Sequence, residues 1–200
     1  MKLYYTANSP YARRCRLAVR VGGLDKRVEE VDVAPLGGAD HLLLTMGPGG
    51  KVPGLLTDSG IFVCETLLIC EILDERSGGK LRPAESVARE HALELEGIAS
   101  LLMDSLFVRS HEKRRADGER SQALIDKEST RARRCYDALE QRIDGARTEP
   151  DLAAIAVACA LGYADWRHAE DGWRSGRAKL SDWFDKAARM PGFAESVPAG

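Results

Sequence analysis

The sequence lacks the residue patterns that mark several large classes of protein. Its five cysteines are odd in number and include no Cys-x-x-Cys pair, which argues against a disulfide framework and a zinc site. The four histidines stand apart from one another without metal-ligand spacing, so we expect no metal. A formal net charge of −2 gives no electrostatic reason to expect nucleic acid or a membrane surface as a partner.

Long apolar runs are missing as well. The most apolar stretch, Leu152 to Ala164, is too short to span a bilayer. The amino-terminal residues form a strand-like run rather than the apolar core of an export signal. These absences favour a protein of the reducing cytoplasm, in which the cysteines are mostly buried small hydrophobic residues.

The chain divides into two parts by its periodicity. Residues 1–78 alternate strand-like and helix-like runs in the order β-α-β-α-β-β-α, which is typical of a sheet with helices on its faces. The residues 79–85 contain glycine and proline and are expected to form a linker. Residues 86–200 have helical periodicity, and Leu152 to Ala164 is apolar on nearly all sides. We therefore expect an all-helical second domain with that segment as its buried central helix.

The stretch with the clearest chemical potential is Ser9-Pro10-Tyr11-Ala12-Arg13, between the first strand and the first helix. Ser9 is a candidate N-cap, and Pro10 suits the first helical position. One face of the helix is then defined by Cys15, Ala18, Val19 and Gly22. The free N–H groups and the dipole at a helix start favour an anion, including a thiolate. Ser9 either holds an anion or merely caps the helix, and this stretch alone favours the cap.

Two further segments have similar potential. Gly50-Lys51-Val52-Pro53 precedes two short strands joined by a glycine-containing turn, a pattern typical of a hairpin. Pro53 is also a candidate for a cis peptide bond. Glu65-Thr66 then opens the third helix. A carboxylate and a hydroxyl at that position suit either a ligand with ammonium and carboxylate groups or ordinary helix capping.

In this order and spacing the three segments resemble those of cytosolic glutathione S-transferases, particularly the bacterial type with a serine at the catalytic turn. The run from Ile155 to Tyr163 is similar to the core helix of the family's second domain, so the resemblance covers nearly the whole chain. It implies an α/β thioredoxin-like N-terminal domain, an all-α C-terminal helical bundle and a cytoplasmic homodimer. Glutathione would be the co-substrate, without metal, nucleic acid or membrane.

The resemblance also implies roles for individual residues. Ser9 would be catalytic, because its hydroxyl can donate a hydrogen bond to the glutathione thiolate. Val52 would pair its main chain with the cysteinyl part of glutathione, as an added strand does. The implied glutathione-binding residues are Ser9, Tyr11, Lys51, Val52, Glu65 and Thr66.

Alternatives remain open at several of these positions. Glu65 and Thr66 would hold the γ-glutamyl end of glutathione, with helix capping and compensation of the helix dipole as the alternative. Lys51 would reach the glycyl carboxylate or would simply be solvated. Tyr4 and Tyr5 are competing hydroxyls for the role of Ser9, since some classes of the family use an amino-terminal tyrosine, although both have the pattern of strand residues.

The second substrate is expected to be a small hydrophobic electrophile bound between the two domains. The predicted pocket residues recur near helical spacing on the first helix of the second domain: Leu102, Ser105, Leu106 and Arg109. Core packing is the alternative for the leucines.

The predicted function is glutathione transfer, in which the bound thiolate is joined to the electrophile, as in detoxification. Thiol-redox relatives of this fold carry Cys-Pro-Tyr-Cys where this chain has Ser9 and Ala12, so thiol–disulfide exchange is disfavoured. The alternatives are other glutathione-dependent reactions (isomerisation, dehalogenation, peroxide reduction) and a non-enzymatic binding or regulatory protein.

Two positions depart from the family pattern. Gly47-Pro48 stands where the family often has Asn-Pro, and we expect the glycine to loosen that loop. The capping box of the family's core helix keeps its first residue, Asp151, but Ala154 replaces the acidic partner, so one reciprocal hydrogen bond is lost.

Overall fold

The structure, a computed structural model, describes residues 1–37, 41–143 and 150–198. These residues pack as two compact units. The first comprises Met1–Ala84 together with the segment that begins at Arg189, and the second comprises Glu85–Ala188. The sequence places the segment from Arg189 with the helical domain, whereas in the structure it packs with the first unit.

Four strands form one sheet in the described part of the first unit, in the order β2-β1-β3-β4. The strands are β1 (Lys2–Tyr5), β2 (Glu29–Asp32), β3 (Gly54–Leu56) and β4 (Phe62–Cys64). β1 runs parallel to β2 and antiparallel to β3, and β3 runs antiparallel to β4. The helices of this unit are α1 (Pro10–Val21), α2 (Leu42–Met46) and α3 (Thr66–Ser77). The predicted order β-α-β-α-β-β-α and the thioredoxin-like fold class are confirmed.

Apolar periodicity explains how α1 and α3 cover the sheet. Leu17 and Ala18 of α1 and Ile69 and Leu73 of α3 are fully buried. α1 ends where predicted, because the N–H group of Gly22 bonds the carbonyl of Ala18 and closes the last turn. Four of the five cysteines are buried, as expected, and the exposed one is Cys64 of β4.

The second unit is helical throughout its described residues. Its helices are α4 (Ser86–Lys113), α5 (Gln122–Arg142), α6 (Leu152–Arg167), the short 3₁₀ helix Ala169–Asp171 and α7 (Ala178–Ala187). The predicted central helix is confirmed as α6, which is buried on nearly all sides. Asp151 caps it by accepting from the N–H group of Ala154 at 2.8 Å.

A buried polar cluster ties the second unit together. Arg109 of α4 makes a bidentate ion pair with Asp171, with both N–O distances 2.7 Å. The Tyr136 hydroxyl of α5 donates to the same carboxylate at 3.1 Å. Burial acts to raise the pKa of Asp171, but the ion pair with Arg109 outweighs it and the pKa falls below its usual value. Burial also raises the pKa of Tyr136.

His168 lies beside this cluster at the end of α6 and is fully buried. The carbonyl oxygen of Leu106 lies at hydrogen-bond distance, 2.9 Å, from Nε2 of His168. Burial lowers the pKa of His168, and the nearby cations Arg109 and Lys113 lower it further. The imidazole is therefore neutral in the folded protein at neutral pH.

We expect the second unit to lose stability as the pH falls from 7 to 5. The unfolded chain takes up a proton on His168 near its ordinary pKa, whereas the folded chain takes it up only at lower pH. The free energy of unfolding should therefore fall by at most about 1.4 kcal/mol per pH unit for this one proton. Urea unfolding at several pH values measures the slope.

His168→Gln should flatten this slope, because glutamine does not titrate. His91→Gln is the matched control: His91 is exposed on α4 of the same unit and its replacement should leave the slope unchanged. Equal slopes in wild type and His168→Gln would contradict the prediction.

Candidate functional site

The register of the sheet brings the ends of three strands to one edge of the first unit. Tyr4 near the end of β1 pairs with Gly54 at the start of β3, and Gly54 also pairs with Cys64 at the end of β4. Because both pairings are antiparallel, the end of β1, the start of β3 and the end of β4 lie side by side.

The predicted glutathione segments adjoin these strand ends: Ser9-Pro10 follows β1, Val52-Pro53 precedes β3 and Glu65-Thr66 follows β4. A contact also links α1 to the third of these segments, because the Cys15 thiol of α1 lies 3.9 Å from the main-chain oxygen of Thr66 and donates to it. Segments far apart in sequence thus meet at one edge.

Ser9 is the N-cap of α1, and its geometry leaves the hydroxyl hydrogen available. The Ser9 oxygen accepts from the N–H group of Ala12 at 3.2 Å, and Pro10 occupies the first helical position. A serine hydroxyl can accept and donate at once. Across the described ranges no acceptor for the hydroxyl hydrogen is found, so Ser9 can cap the helix and still donate to a ligand.

The peptide bond between Val52 and Pro53 is cis, the isomer that the sequence left open. Just beyond it, the ring of Phe62 in β4 lies against two glycines. A Cβ atom at Gly47 would lie 2.9 Å from Phe62 Cε1, and one at Gly54 would overlap Phe62 Cζ. The glycine at 47 therefore leaves space for the Phe62 ring, and the expected loosening of this loop stays a prediction.

Glu65 has the most unusual backbone of the site. Its φ of 73° is the only positive value for a non-glycine residue in the described part of the chain. With ψ at 121° it lies outside the left-handed helical region, a conformation that costs about 1–3 kcal/mol. Although Glu65 is the N-cap of α3, its side chain makes no capping hydrogen bond. A capping hydrogen bond therefore does not account for the glutamate, whereas compensation of the helix dipole by its charge stays open.

The amino end of α3 has an exposed side chain at Glu65 and a buried one at Thr66. Among the described residues, neither the Glu65 carboxylate nor the Thr66 hydroxyl has a hydrogen-bond partner. The first N–H groups of a helix have no partner within it and sit at the positive end of its dipole. An acidic acceptor thus stands directly beside donors suited to a carboxylate.

The other predicted residues of the first unit have plainer surroundings. Lys51 is exposed and Tyr11 is half-buried in the first turn of α1. Tyr4 is buried in β1, and the Tyr5 ring carries the Arg16 guanidinium 4.2 Å above its centroid. Both competing tyrosines therefore serve as strand residues.

The residues predicted for the electrophile pocket, Leu102, Ser105, Leu106 and Arg109, are all buried within the second unit. Arg109 is engaged by Asp171, and the Ser105 hydroxyl donates to the carbonyl of Leu101 at 3.1 Å. Burial agrees with the core-packing alternative for the leucines, and contact with an electrophile stays a prediction.

Sequence reasoning missed two contributors to the site. Phe62 belongs to no recognisable motif. Only the glycines at 47 and 54, which face its ring, could have indicated that a large side chain packs there. Arg13 is the last residue of the motif that begins at Ser9, but its partners, Phe193 and Ser196, lie about 180 residues later in the chain. No local pattern connects residues at that separation.

Comparison with known families agrees with this geometry. The family model of the glutathione S-transferase N-terminal domain matches residues 8–76, and that of the C-terminal domain matches residues 122–186. The chain belongs to the glutathione S-transferase family.

Solved structures with similar sequences share the whole fold. A glutathione transferase family member from Pseudomonas fluorescens Pf-5 with bound glutathione is 29% identical, with a TM-score of 0.89 over 100% of this chain and 99% of that one. A glutathione S-transferase from Methylobacillus flagellatus KT with bound glutathione is 27% identical, with a TM-score of 0.88 over 99% of each chain.

A relative from Escherichia coli K12 matches over nearly its full length. It is the uncharacterized GST-like protein YibF, which is 27% identical over 202 residues, or 99% of this chain and 98% of the relative. In the described ranges, no helix of this chain combines the length and apolar character needed to cross a membrane.

The packing of Phe62 generates a stability prediction. Gly54→Ala should lower the free energy of unfolding by about 1–3 kcal/mol, because the added methyl group would overlap the ring. The loss should shrink in a Phe62→Leu background, since leucine leaves the space open. Urea unfolding of the four proteins completes the cycle.

Gly49→Ala is the control. Gly49 is exposed and an added Cβ there meets nothing within 4 Å, so this change should alter the stability by no more than about 0.5 kcal/mol. Equal losses for Gly54→Ala with and without Phe62 would show that the ring is not the cause.

Proposed function

We propose that this chain is a glutathione transferase that binds glutathione as a thiolate and joins it to a small hydrophobic electrophile. The observation that carries the proposal is the sheet edge at which the ends of β1, β3 and β4 lie side by side, because Ser9, Val52 and Glu65 stand in the segments that adjoin those ends. The Ser9 hydroxyl there caps α1 and keeps a hydrogen to donate. The bound glutathione in two structural relatives supports the choice of ligand.

The γ-glutamyl end of glutathione is proposed to sit at the start of α3. Its ammonium group would donate to the Glu65 carboxylate, and its carboxylate would accept from the Thr66 hydroxyl and the first N–H groups of the helix. This assignment uses the side chains that have no partner among the described residues. It also gives a reason for the backbone conformation of Glu65, because strain of this kind concentrates where a ligand is held.

The rest of the tripeptide follows from the position of β3. The main chain of Val52, which directly precedes the strand, would pair with the cysteinyl part of glutathione as an added strand. Lys51, exposed in the same loop, would approach the glycyl carboxylate, and Tyr11 would border the sulfur from the first turn of α1.

The proposed chemistry is nucleophilic substitution or addition. The thiol gives its proton to water, the Ser9 hydroxyl donates a hydrogen bond to the sulfur, and the α1 dipole favours the negative charge. The thiolate attacks an electrophilic carbon, a C–S bond forms, and a halide leaves or an epoxide ring opens. Lowering the thiol pKa by two units corresponds to about 2.7 kcal/mol of stabilisation of the thiolate.

We also propose that the protein is a cytoplasmic homodimer. Leu67 and Leu68 of α3 expose 47% and 56% of their surface, and Leu93 and Leu101 of α4 expose 45% and 53%. Leu67 and Leu68 are neighbours on α3, so a second copy of the chain would remove a continuous apolar surface from water by covering them.

Calorimetry with glutathione tests the proposal directly. Uptake of glutathione by the folded protein is expected, followed by turnover of an aryl halide or an epoxide. Turnover of a hydroperoxide alone would favour peroxide reduction instead, and uptake without any turnover would favour a binding protein. If folded protein takes up no glutathione, the proposal is wrong.

Removal of the Ser9 hydroxyl should weaken thiol ionisation. Ser9→Ala should lower the rate of conjugation about 10- to 100-fold below the pKa of the bound thiol, because a hydrogen bond to a charged group contributes about 1.5–3 kcal/mol. The pH dependence of kcat/KM measures this shift.

Two further variants separate the hydroxyl from the cap. Ser9→Gly removes the hydroxyl at little cost to capping and should behave like Ser9→Ala, whereas Ser9→Thr keeps a hydroxyl and should retain most activity. If Ser9→Ala leaves the pH profile and the rate unchanged, Ser9 has no catalytic role.

Glu65 should show opposite effects on stability and binding. Glu65→Gly relieves the strained backbone and should be about 1 kcal/mol more stable than Glu65→Ala, which keeps the strain. Both should bind glutathione about 10- to 100-fold more weakly, since both lack the carboxylate. Urea unfolding and calorimetry give the two quantities, and intact glutathione affinity in Glu65→Gly would limit this residue to a structural role.

A further inference from the structure

The segment after Arg189 is anchored to α1 by a buried arginine. The Arg13 Nη2 donates to the carbonyl of Phe193 at 2.9 Å, and its Nε donates to the Ser196 hydroxyl at 3.1 Å. The Phe193 ring also lies under the guanidinium, 4.2 Å from Arg13 Cζ to the ring centroid. Arg13 is 4% exposed and Ser196 is 1% exposed, so water does not replace these contacts.

These contacts matter because a buried charge is costly unless its donors are satisfied. The segment supplies a carbonyl, a hydroxyl and an aromatic face to the Arg13 guanidinium. The carbonyl of Phe193 also accepts from the Ser196 hydroxyl at 3.2 Å, which fixes the two acceptors relative to each other. The anchor is thus a preorganised pocket for one guanidinium.

A second contact shows that the segment follows one face of α1. Arg20 lies seven residues after Arg13, and therefore on the same side of the helix. Gly192, at φ 80°, packs so closely on Arg20 that an added Cβ would overlap its Cδ. The segment thus touches α1 at two points two turns apart.

The anchor at Arg13 reaches the proposed catalytic turn directly. The N–H group of Arg13 bonds the carbonyl of Ser9 at 2.9 Å, while the N–H group of Ala12 bonds the Ser9 hydroxyl at 3.2 Å. A shift of Arg13 would therefore move the hydroxyl that caps the helix.

We propose that Arg13 is a positioning residue, through which the segment from Arg189 holds the Ser9 hydroxyl in place to ionise the glutathione thiol. The inference rests on the proposed function and adds to it a contribution from residues 189–198. Arg13 itself touches neither thiol nor electrophile in this proposal and acts only through the first turn of α1.

Arg13→Met tests the proposal against Arg16→Met. Arg16 lies on the same helix and is bound to Glu30 and to the Tyr5 ring, but makes no hydrogen bond or ion pair with the C-terminal segment among the described residues. Arg13→Met should raise the pKa of the bound thiol by about one unit, which gives about a tenfold loss of kcat/KM below that pKa. Arg16→Met should leave the pH profile in place.

A second readout needs no substrate. Amide hydrogen exchange at residues 12 and 13 should accelerate in Arg13→Met and stay unchanged in Arg16→Met. Ser196→Ala should show the same two changes to a smaller extent, and it serves if Arg13→Met fails to fold. Arg13→Lys should recover only part of the effect, because an ammonium group cannot reproduce the two-point geometry of guanidinium.

Different outcomes would overturn this inference and the proposed function. If wild type binds glutathione with a lowered thiol pKa, but the pH profile and amide exchange of both Arg13→Met and Ser196→Ala match wild type, the inference alone is overturned. If wild type takes up no glutathione, the proposed function and the positioning role fall together.

Discussion

The antiparallel placement of β3 between β1 and β4 is the constraint on which the candidate site depends. It aligns Tyr4, Gly54 and Cys64 in one row. The segments that adjoin these strand ends come from distant parts of the first unit and therefore lie at the same edge. A shift of one residue in either pairing would move the adjoining segments apart and turn the side chains of β3 to the opposite face. The Phe62 ring packs against Gly54 and opposes such a shift. A shifted register would place a residue with a side chain opposite the ring, and that side chain would overlap it.

Two helices begin at this edge, and their amino ends are capped differently. α1 is closed by the Ser9 hydroxyl and by Pro10, whereas α3 starts at Glu65 without a side-chain cap. The closed end offers one hydrogen to a small soft anion such as sulfur, and the open end offers several donors to a carboxylate. The proposed ligand, which carries a thiol and an amino-acid head separated by a peptide bond, matches that difference.

Much of this architecture follows from local patterns in the sequence. Pro10, Gly22 and Asp151 predict helix boundaries because caps and breakers act within a few residues, and the structure places them as expected. The backbone of Glu65 could not be predicted, since local sterics disfavour a positive φ and only tertiary packing can impose it. Arg109 could not be assigned either, because its partner Asp171 lies 62 positions away and no periodicity reports such a pair.

The return of the chain to α1 has a consequence for biosynthesis. Residues 189–198 complete the burial of Arg13, so the first unit cannot reach its final packing until the whole of the second unit has left the ribosome. The helices from α4 to α7 are therefore made, and are free to fold, before the C-terminal segment supplies the carbonyl, hydroxyl and aromatic ring that surround Arg13. The first unit is therefore synthesised before the second but completes its packing after it.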